Sequence, residues 1–385
     1  MYIYVFLFLV GAFLGWLACE FADRWGCSQR YRSSLPKKLF ILFVSGIAAA
    51  WLFWWIVQNG MLYPPDTRPW RLIDLHRYLI CSILFVFLLA ATLTDFYEMI
   101  IPDSITVVGT ISALGLAILF PLSAFPVTEI RWTYDLFPVF TPYPFMHVWS
   151  PNPIGTSSLF VMTALWWFWC FAMLDRVWYT KLPFRKAHAI FWRYLYRSPR
   201  TKYIVAAALI VPIGFLFIPN IVAFHTAQFH VLVGMSAVEL VEVSLLSALV
   251  GMATGMILVW GIRLVARYIL GIEAMGFGDV TLMGMIGAFL GWQAVLLVFF
   301  AAPFFGLVYG IVNLALGKGR AVPYGPFLCL ATVVVVIAWS PIWGATAEYF
   351  SFGIGIIGGV LLVLLVLFGG LLHVVHQVMG RNRVL

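Results

Sequence analysis

The chain has 385 residues, of which 63% are hydrophobic and only 10% are charged, and its mean hydropathy is +1.01. Water-soluble globular chains are about 45–50% apolar and roughly 25% charged, and disordered chains are more polar still. The composition therefore excludes both classes and indicates a polytopic integral membrane protein. The five cysteines have no repeated spacing, which excludes a disulfide scaffold and a four-cysteine zinc module.

Apolar runs along the chain predict the membrane-spanning segments, because a helix needs about 20 apolar residues to cross ~30 Å of hydrocarbon. The runs occupy 1–20, 37–58, 78–94, 104–124, 158–174, 203–223, 243–270, 292–316, 324–340 and 354–378. A shorter helix is expected from Asp279 to about Trp292, dipping into or half-spanning the bilayer. The alternation of transmembrane β-strands is absent from the sequence. We therefore expect an all-α polytopic membrane protein with about 10–11 transmembrane segments.

The basic residues predict the orientation, because cytoplasmic loops of membrane proteins are enriched in Lys and Arg. With the N-terminus outside and the C-terminus in the cytoplasm, the Lys and Arg residues that remain outside are Arg68, Arg71, Arg77 and Arg131. The net charge of +8 is therefore a topology signal. We interpret the basic, aromatic stretch 175–202 as a loop at the membrane surface, so the lipid bilayer is an expected partner and nucleic acid is not.

Two carboxylates lie beside apolar runs in a chain that has only 15 acidic residues. Asp95 follows the third run and Asp279 follows the seventh, so the predicted topology places both on the cytoplasmic face. Ionisable groups near membrane depth are costly and commonly functional. Two neighbouring carboxyls, one protonated and one ionised, can activate a water and protonate the oxyanion that forms. The pattern predicts an aspartic protease.

The residues around each carboxylate can be interpreted either as part of a peptidase site or as ordinary turns and helix caps. Gly276 and Gly278 lack a Cβ and would let a peptide approach Asp279 closely, but glycines also form ordinary turns, in which Asp is a favoured helix cap. Pro102 and Asp103 precede the fourth apolar run, and we interpret them as a structural cap of that helix.

Four ordered blocks resemble the type IV prepilin peptidases, a family of intramembrane aspartic peptidases. Residues 95–103 (DFYEMIIPD) are similar to the Asp-Leu-x-x-x-x-(Ile/Leu)-Pro-Asp block of the family, and residues 276–279 (GFGD) are similar to its Gly-x-Gly-Asp motif. Residues 322–328 (VPYGPFL) and 11–14 (GAFL) resemble two further family elements.

The resemblance implies a bacterial inner-membrane endopeptidase that removes leader peptides from prepilins or pseudopilins at the cytoplasmic face, after a Gly. It implies that Asp95 and Asp279 are the catalytic pair, and that pilus or type II secretion machinery is a partner. It assigns substrate binding or loop shaping to the residues around the second carboxylate, namely Gly276, Phe277, Gly278 and Thr281.

Two departures from the family pattern concern its second activity. Many members also methylate the new N-terminus with S-adenosylmethionine, through a cytoplasmic loop that carries two Cys-x-x-Cys pairs. The corresponding loop 20–38 contains only Cys27 and no His, so a four-coordinate zinc site cannot form there. Gly15 replaces a family Asn in the same region. A third departure, Thr281 in place of a common Lys, concerns a substrate or helix-anchoring contact. We therefore expect peptidase activity with neither zinc nor S-adenosylmethionine as a cofactor.

The resemblance also suggests a division of the chain. The peptidase core is expected in 79–124 and 241–340, with an insertion of two extra spans at 125–240 and an additional C-terminal span at 354–378. Two other functions stay open at this point. Asp95 and Asp279 could serve a proton- or ion-coupled transporter or channel, whose site belongs near the bilayer midplane, or the protein could be an inactive scaffold in pilus or secretion assembly.

Overall fold

The structure is a computed structural model of the chain. It describes residues 2–25, 35–60, 71–123, 126–130, 136–140, 156–174, 184–226, 237–270, 275–316, 323–350, 356–367 and 369–370. The helices are α1 (Tyr2–Trp25), α2 (Leu35–Phe53), α3 (Arg71–Glu98), α4 (Asp103–Leu119), α5 (Thr156–Met173), α6 (Phe184–Arg197), α7 (Pro199–Thr226), α8 (Ala237–Leu270), α9 (Phe277–Ala315), α10 (Gly325–Ile337), α11 (Trp339–Phe350) and α12 (Ile356–Leu367).

The helices confirm an all-α membrane fold. In the described part of the chain, six helices are long and apolar enough to cross a membrane, and α10 with α11, bent by 92°, would make a seventh. The shorter apolar helices α4, α5 and α12 fall at three further predicted runs. The orientation of the termini and the total of 10–11 crossings stay predictions.

A small β-hairpin is an addition that the apolar pattern did not predict. Strands β1 (Pro126–Ile130) and β2 (Leu136–Phe140) pair in antiparallel register, with Pro126 opposite Phe140. The prediction considered only apolar runs of membrane-crossing length, and a five-residue strand is too short to produce one.

A break inside α9 separates its first turns from its long second half. Gly291 has φ 83° and ψ 172°, a backbone conformation that residues with a Cβ rarely adopt. The break confirms the short helix predicted from Asp279 to about Trp292, followed by the predicted span 292–316. The segment before the break is almost entirely buried, so it lies inside the helix bundle.

Close packing between α8 and α9 fixes the position of this buried segment. A Cβ at Gly251 would collide with the carbonyl oxygen of Gly287, and a Cβ at Gly287 would collide with that of Gly251. Small residues let transmembrane helices approach at the backbone, where van der Waals contact stabilises the pair. Gly255, one turn further along α8, meets the Met283 carbonyl in the same way.

Several helix ends meet at one end of the bundle. The short connection 99–102 joins the end of α3 to the start of α4, and the side chains of Thr106 in α4 and Thr281 in α9 are hydrogen-bonded at 3.0 Å. The start of α10 reaches the end of α3 through a hydrogen bond to Asp95. Asp95, Asp103 and Thr281, which sequence analysis singled out, therefore lie at one end of the bundle.

Candidate active site

Asp95 lies in the last turn of α3 and is held by the start of α10. The backbone N–H of Gly325 donates a hydrogen bond to Oδ2 of Asp95 at 3.0 Å. The side chain is 5% exposed, so the carboxyl is largely withdrawn from solvent. Helix α3 ends immediately afterwards at Glu98, and Met99 takes a left-handed conformation with φ 53°.

Asp279 lies in the first turn of α9, beside the glycines of the 276–279 motif. The backbone N–H of Gly276 donates to Oδ2 of Asp279 at 3.2 Å, and the residue is 9% exposed. Gly276 occupies the N-cap position of α9. The carboxylate therefore satisfies an amide at the helix start and is favourably placed near the positive end of the helix dipole.

The two carboxyls are close enough for a direct coulombic interaction, although they belong to helices far apart in sequence. Ile101 packs against Gly278, beside Asp279, and against Gly325, whose amide binds Asp95. A Cβ at Gly278 would lie 2.9 Å from the Cβ of Ile101, and a Cβ at Gly325 would lie 2.7 Å from its Cδ1. The absence of a Cβ at Gly278 and Gly325 therefore lets both backbone segments pack directly against the buried side chain of Ile101.

Tyr324 precedes Gly325 and lies near the second carboxyl. The charge of the Asp279 carboxyl reaches the Tyr324 hydroxyl. The turn Tyr324–Gly325 thus contacts Asp95 through an amide and lies within the electrostatic reach of Asp279.

Arg263, near the end of α8, is a site residue that sequence analysis missed. Its guanidinium lies 5.7 Å from the centre of the Phe277 ring, which is a cation–π distance. The side chain is 7% exposed, and its charge interacts with the Asp279 carboxyl. The predicted topology uses Arg263 only as one of the basic residues on the cytoplasmic side. Its depth within an apolar helix was the signal that could have identified it.

Thr281 links the start of α9 to α4 through a hydrogen bond. Its hydroxyl donates to the carbonyl of Gly278 at 3.0 Å, and the hydroxyl of Thr106 donates to it at 3.0 Å. The residue is 3% exposed. Of the two roles that the resemblance suggested, the contacts of Thr281 favour loop shaping.

The start of α4 differs in detail from the predicted cap. Pro102 is the N-cap residue and makes no side-chain capping bond, while Asp103 is the first residue of the helix. The Asp103 carboxylate instead pairs with Arg200 of α7, at 2.7 Å between Oδ2 and Nη2. Asp103 was expected to form the cap with Pro102, but its carboxylate is used by this long-range ion pair.

An apolar groove of about 370 Å³ runs along α1, α2, α3 and α10. One part of it is lined by Thr92, Pro326 and Cys329. Thr92 lies about one helical turn from Asp95, and Pro326 follows the Gly325 amide that binds Asp95. The groove therefore reaches the neighbourhood of the first carboxyl from the side of the bundle.

Among the residues that the structure describes, no group of three or more His, Cys, Asp or Glu side chains could hold a metal ion. Residues 26–34 of the loop 20–38, including Cys27, lie outside the described residues. Neither the expected absence of zinc nor that of S-adenosylmethionine is tested by this geometry.

Comparisons with known proteins agree with the motif resemblance. Residues 201–311 match the type IV leader peptidase family. This segment includes Asp279 and its glycines, and it excludes Asp95. It begins inside the region 125–240 that we interpreted as an insertion, so most of α7 lies within the match.

Named relatives are similar over about the same length. A prepilin leader peptidase/N-methyltransferase of Stutzerimonas stutzeri is 35% identical over 114 residues, which is 28% of this chain and 38% of the relative. The protein of that name from Pseudomonas aeruginosa is 32% identical over 114 residues, with the same coverage. The one from Pseudomonas putida is 29% identical over 115 residues, covering 29% and 40%.

The chain thus matches little more than a third of the length of these relatives. No solved structure matches the chain. The family match nevertheless includes the motif at 276–279, and the resemblance of this chain to the type IV leader peptidase family is confirmed.

Proposed function

We propose that this protein is a membrane aspartic endopeptidase that removes leader peptides from prepilin-like substrates, with Asp95 and Asp279 as its catalytic pair. The observation that carries the proposal is the meeting of these two buried carboxyls, each hydrogen-bonded to a glycine amide, at one end of the helix bundle. The family match over 201–311 and the printed names of the relatives support the substrate class.

The proposed reaction uses the two carboxyls in different protonation states. In a low-dielectric site two neighbouring carboxyls share one proton, so one is neutral and the other ionised. The ionised carboxylate takes a proton from a water whose oxygen adds to the scissile carbonyl carbon, and the neutral carboxyl protonates the carbonyl oxygen. The carboxyl that took the water proton then protonates the leaving nitrogen as the C–N bond breaks, and the other carboxylate takes a hydroxyl proton as the carbonyl re-forms, which restores the starting protonation states.

The surrounding residues have positioning roles in this proposal. The amides of Gly276 and Gly325 fix one oxygen of each carboxyl from the backbone, which keeps the pair oriented. Arg263 places a positive charge within electrostatic reach of the Asp279 carboxyl. The apolar groove beside Thr92 gives a membrane-embedded segment of substrate a route to Asp95.

The positions of the carboxyls favour a peptidase over a transporter. A carrier site is expected near the bilayer midplane, often at a break in a helix. Asp95 and Asp279 instead lie in the terminal turns of α3 and α9. The break at Gly291 is twelve residues beyond Asp279, or about 18 Å along a helix, so the break and the carboxyls do not form one site.

A cleavage assay tests the proposal. Purified protein is incubated with a prepilin-type substrate that has a Gly-Phe junction between its leader and an apolar helix, and products are identified by mass spectrometry. We expect wild type to cut after the Gly, and Asp95→Asn and Asp279→Asn to lose on the order of 10³-fold or more of the cleavage rate while remaining inserted. If wild type leaves such substrates intact, the scaffold alternative is favoured.

A further inference from the structure

Helix α6 carries a basic face. The side chains of Lys186, Arg193 and Arg197 are exposed, and their spacings of seven and four residues place them on one face of the helix. No Asp or Glu occurs in the sequence between Asp175 and Glu239. The positive charge of this face is therefore not neutralised by acidic residues nearby in the sequence.

The sequence of α6 also predicts an apolar stripe opposite the basic face. Phe184, Phe191 and Leu195 follow the same spacings of seven and four, displaced by two residues, or about 200° around the helix. Trp192, which is 45% exposed, donates its indole N–H to Nε2 of His188 at 3.0 Å. A basic face, an apolar stripe and an exposed Trp are typical of helices that lie in a membrane interface.

The neighbouring helix places α6 beside the bilayer. Only Ser198 separates α6 from α7, and residues Pro199–Phe217 of α7 form a candidate span. A helix that ends one residue before a transmembrane segment has its end at the membrane surface. The basic face is thus within reach of lipid headgroups.

The junction between α6 and α7 is fixed to the end of the bundle that carries the two carboxyls. Arg200 pairs with Asp103 at the start of α4, at 2.7 Å, and donates to the carbonyl of Met173 at the end of α5, at 3.5 Å. The predicted topology makes this the cytoplasmic end, where anionic lipids give the membrane surface a negative potential.

We propose that α6 is an interfacial helix that binds anionic phospholipid headgroups through Lys186, Arg193 and Arg197. The phosphates accept hydrogen bonds from the ammonium and guanidinium groups, and the predicted apolar stripe enters the boundary of the acyl chains. Each basic residue at an anionic surface contributes a factor of about five, so three together favour that surface by roughly a hundredfold. This binding does not depend on whether the protein is a peptidase.

The experiment uses the full chain in lipid nanodiscs with one fluorescent label on α6. Ala189 is exposed between the basic residues, and Ala189→Cys in a Cys27→Ser background provides the labelling position. The remaining cysteines are buried, namely Cys19, Cys81, Cys170 and Cys329. A bimane label at this position is quenched by lipids that carry a nitroxide on the headgroup, and quenching is compared between phosphatidylcholine alone and a phosphatidylcholine–phosphatidylglycerol mixture.

Two triple variants separate charge from shape. We expect phosphatidylglycerol to increase quenching in the parent, and about 1 M salt to remove the increase because the Debye length then falls to about 3 Å. Lys186→Gln/Arg193→Gln/Arg197→Gln should lose the increase completely. Lys186→Arg/Arg193→Lys/Arg197→Lys should keep it, because the charges are retained.

Three results would overturn the proposal. One is equal quenching of the parent in the two lipid compositions. Another is an unchanged phosphatidylglycerol effect in the glutamine variant. The third is quenching that ignores phosphatidylglycerol but changes when an oligonucleotide is added, which would identify the basic face as a nucleic-acid surface instead.

Discussion

Replacing Gly325 with alanine tests whether the backbone at the start of α10 positions Asp95. The added Cβ would lie 2.6 Å from Oδ2 of Asp95 and 2.7 Å from Cδ1 of Ile101. The Ile101 methyl is the end of a flexible side chain and can move. The carboxylate oxygen must move by about 0.8 Å to restore an ordinary contact of 3.4 Å, and this movement disturbs its hydrogen bond to the Gly325 amide.

The expected effect is large on activity and moderate on stability. Displacing a catalytic group by about 1 Å can reduce the rate on the order of a hundredfold. Overpacking one methyl group in a dense site costs roughly 1–3 kcal/mol of stability. Gly325→Ala should therefore lower kcat/KM for leader cleavage about a hundredfold, while the protein remains folded and inserted.

Gly344→Ala is the matched control, because a Cβ at Gly344 meets nothing within 4 Å. It should keep full activity and change stability by no more than the ~1 kcal/mol that alanine gains over glycine in a helix. Both variants are compared by cleavage rate and by thermal unfolding in the same detergent. If Gly325→Ala cleaves within about threefold of Gly344→Ala, the Gly325 amide does not position the carboxyl in the way we describe.

Three further predictions concern other parts of the molecule. Asp103→Asn should retain much of the cleavage activity, because its half-exposed ion pair is worth at most about 1 kcal/mol; a complete loss would mean that Asp103 belongs to the catalytic pair. Gly287→Ala places a methyl group against the backbone of Gly251 and should lower the unfolding temperature. Gly310→Ala is its control, because the Cβ added there meets nothing within 4 Å, and it should unfold at a clearly higher temperature than Gly287→Ala. Cys27→Ser should leave cleavage unchanged, and the wild-type protein should carry no stoichiometric zinc by metal analysis and add no ~14 Da methyl increment to its product; methylated product together with bound zinc would contradict our interpretation of the loop.

The helices were predictable because the bilayer imposes a simple requirement on the backbone. Every N–H and C=O in hydrocarbon must be satisfied within the chain, so an apolar run of sufficient length is a helix. The short helix after Asp279 was predicted as a separate element, and the conformation of Gly291 gives the reason for the separation. The hairpin at 126–140 was missed because its strands are short and outside the apolar runs.

The hydrogen-bond and ion-pair partners of the carboxyls were harder to predict from the sequence. Asp95 and Gly325 are 230 positions apart, and only the packing of α3 against α10 brings them together. The block 322–328 was noticed as a motif, but nothing in its composition indicates that an amide there binds a carboxylate. Asp103 was predicted near a helix start, which is where it lies, but its pairing with Arg200 depends on the fold around it.

The central claim is that Asp95 and Asp279 act as one catalytic unit, and a double-mutant cycle tests it most directly. Cleavage rates of Asp95→Asn, Asp279→Asn and the double variant are measured against wild type with the same substrate. Residues that share one acid/base step are strongly non-additive. We expect each single variant to lose on the order of 10³-fold or more, and the double variant to be no slower than either. Losses that multiply in the double variant, or a single variant that keeps wild-type activity, would contradict the account.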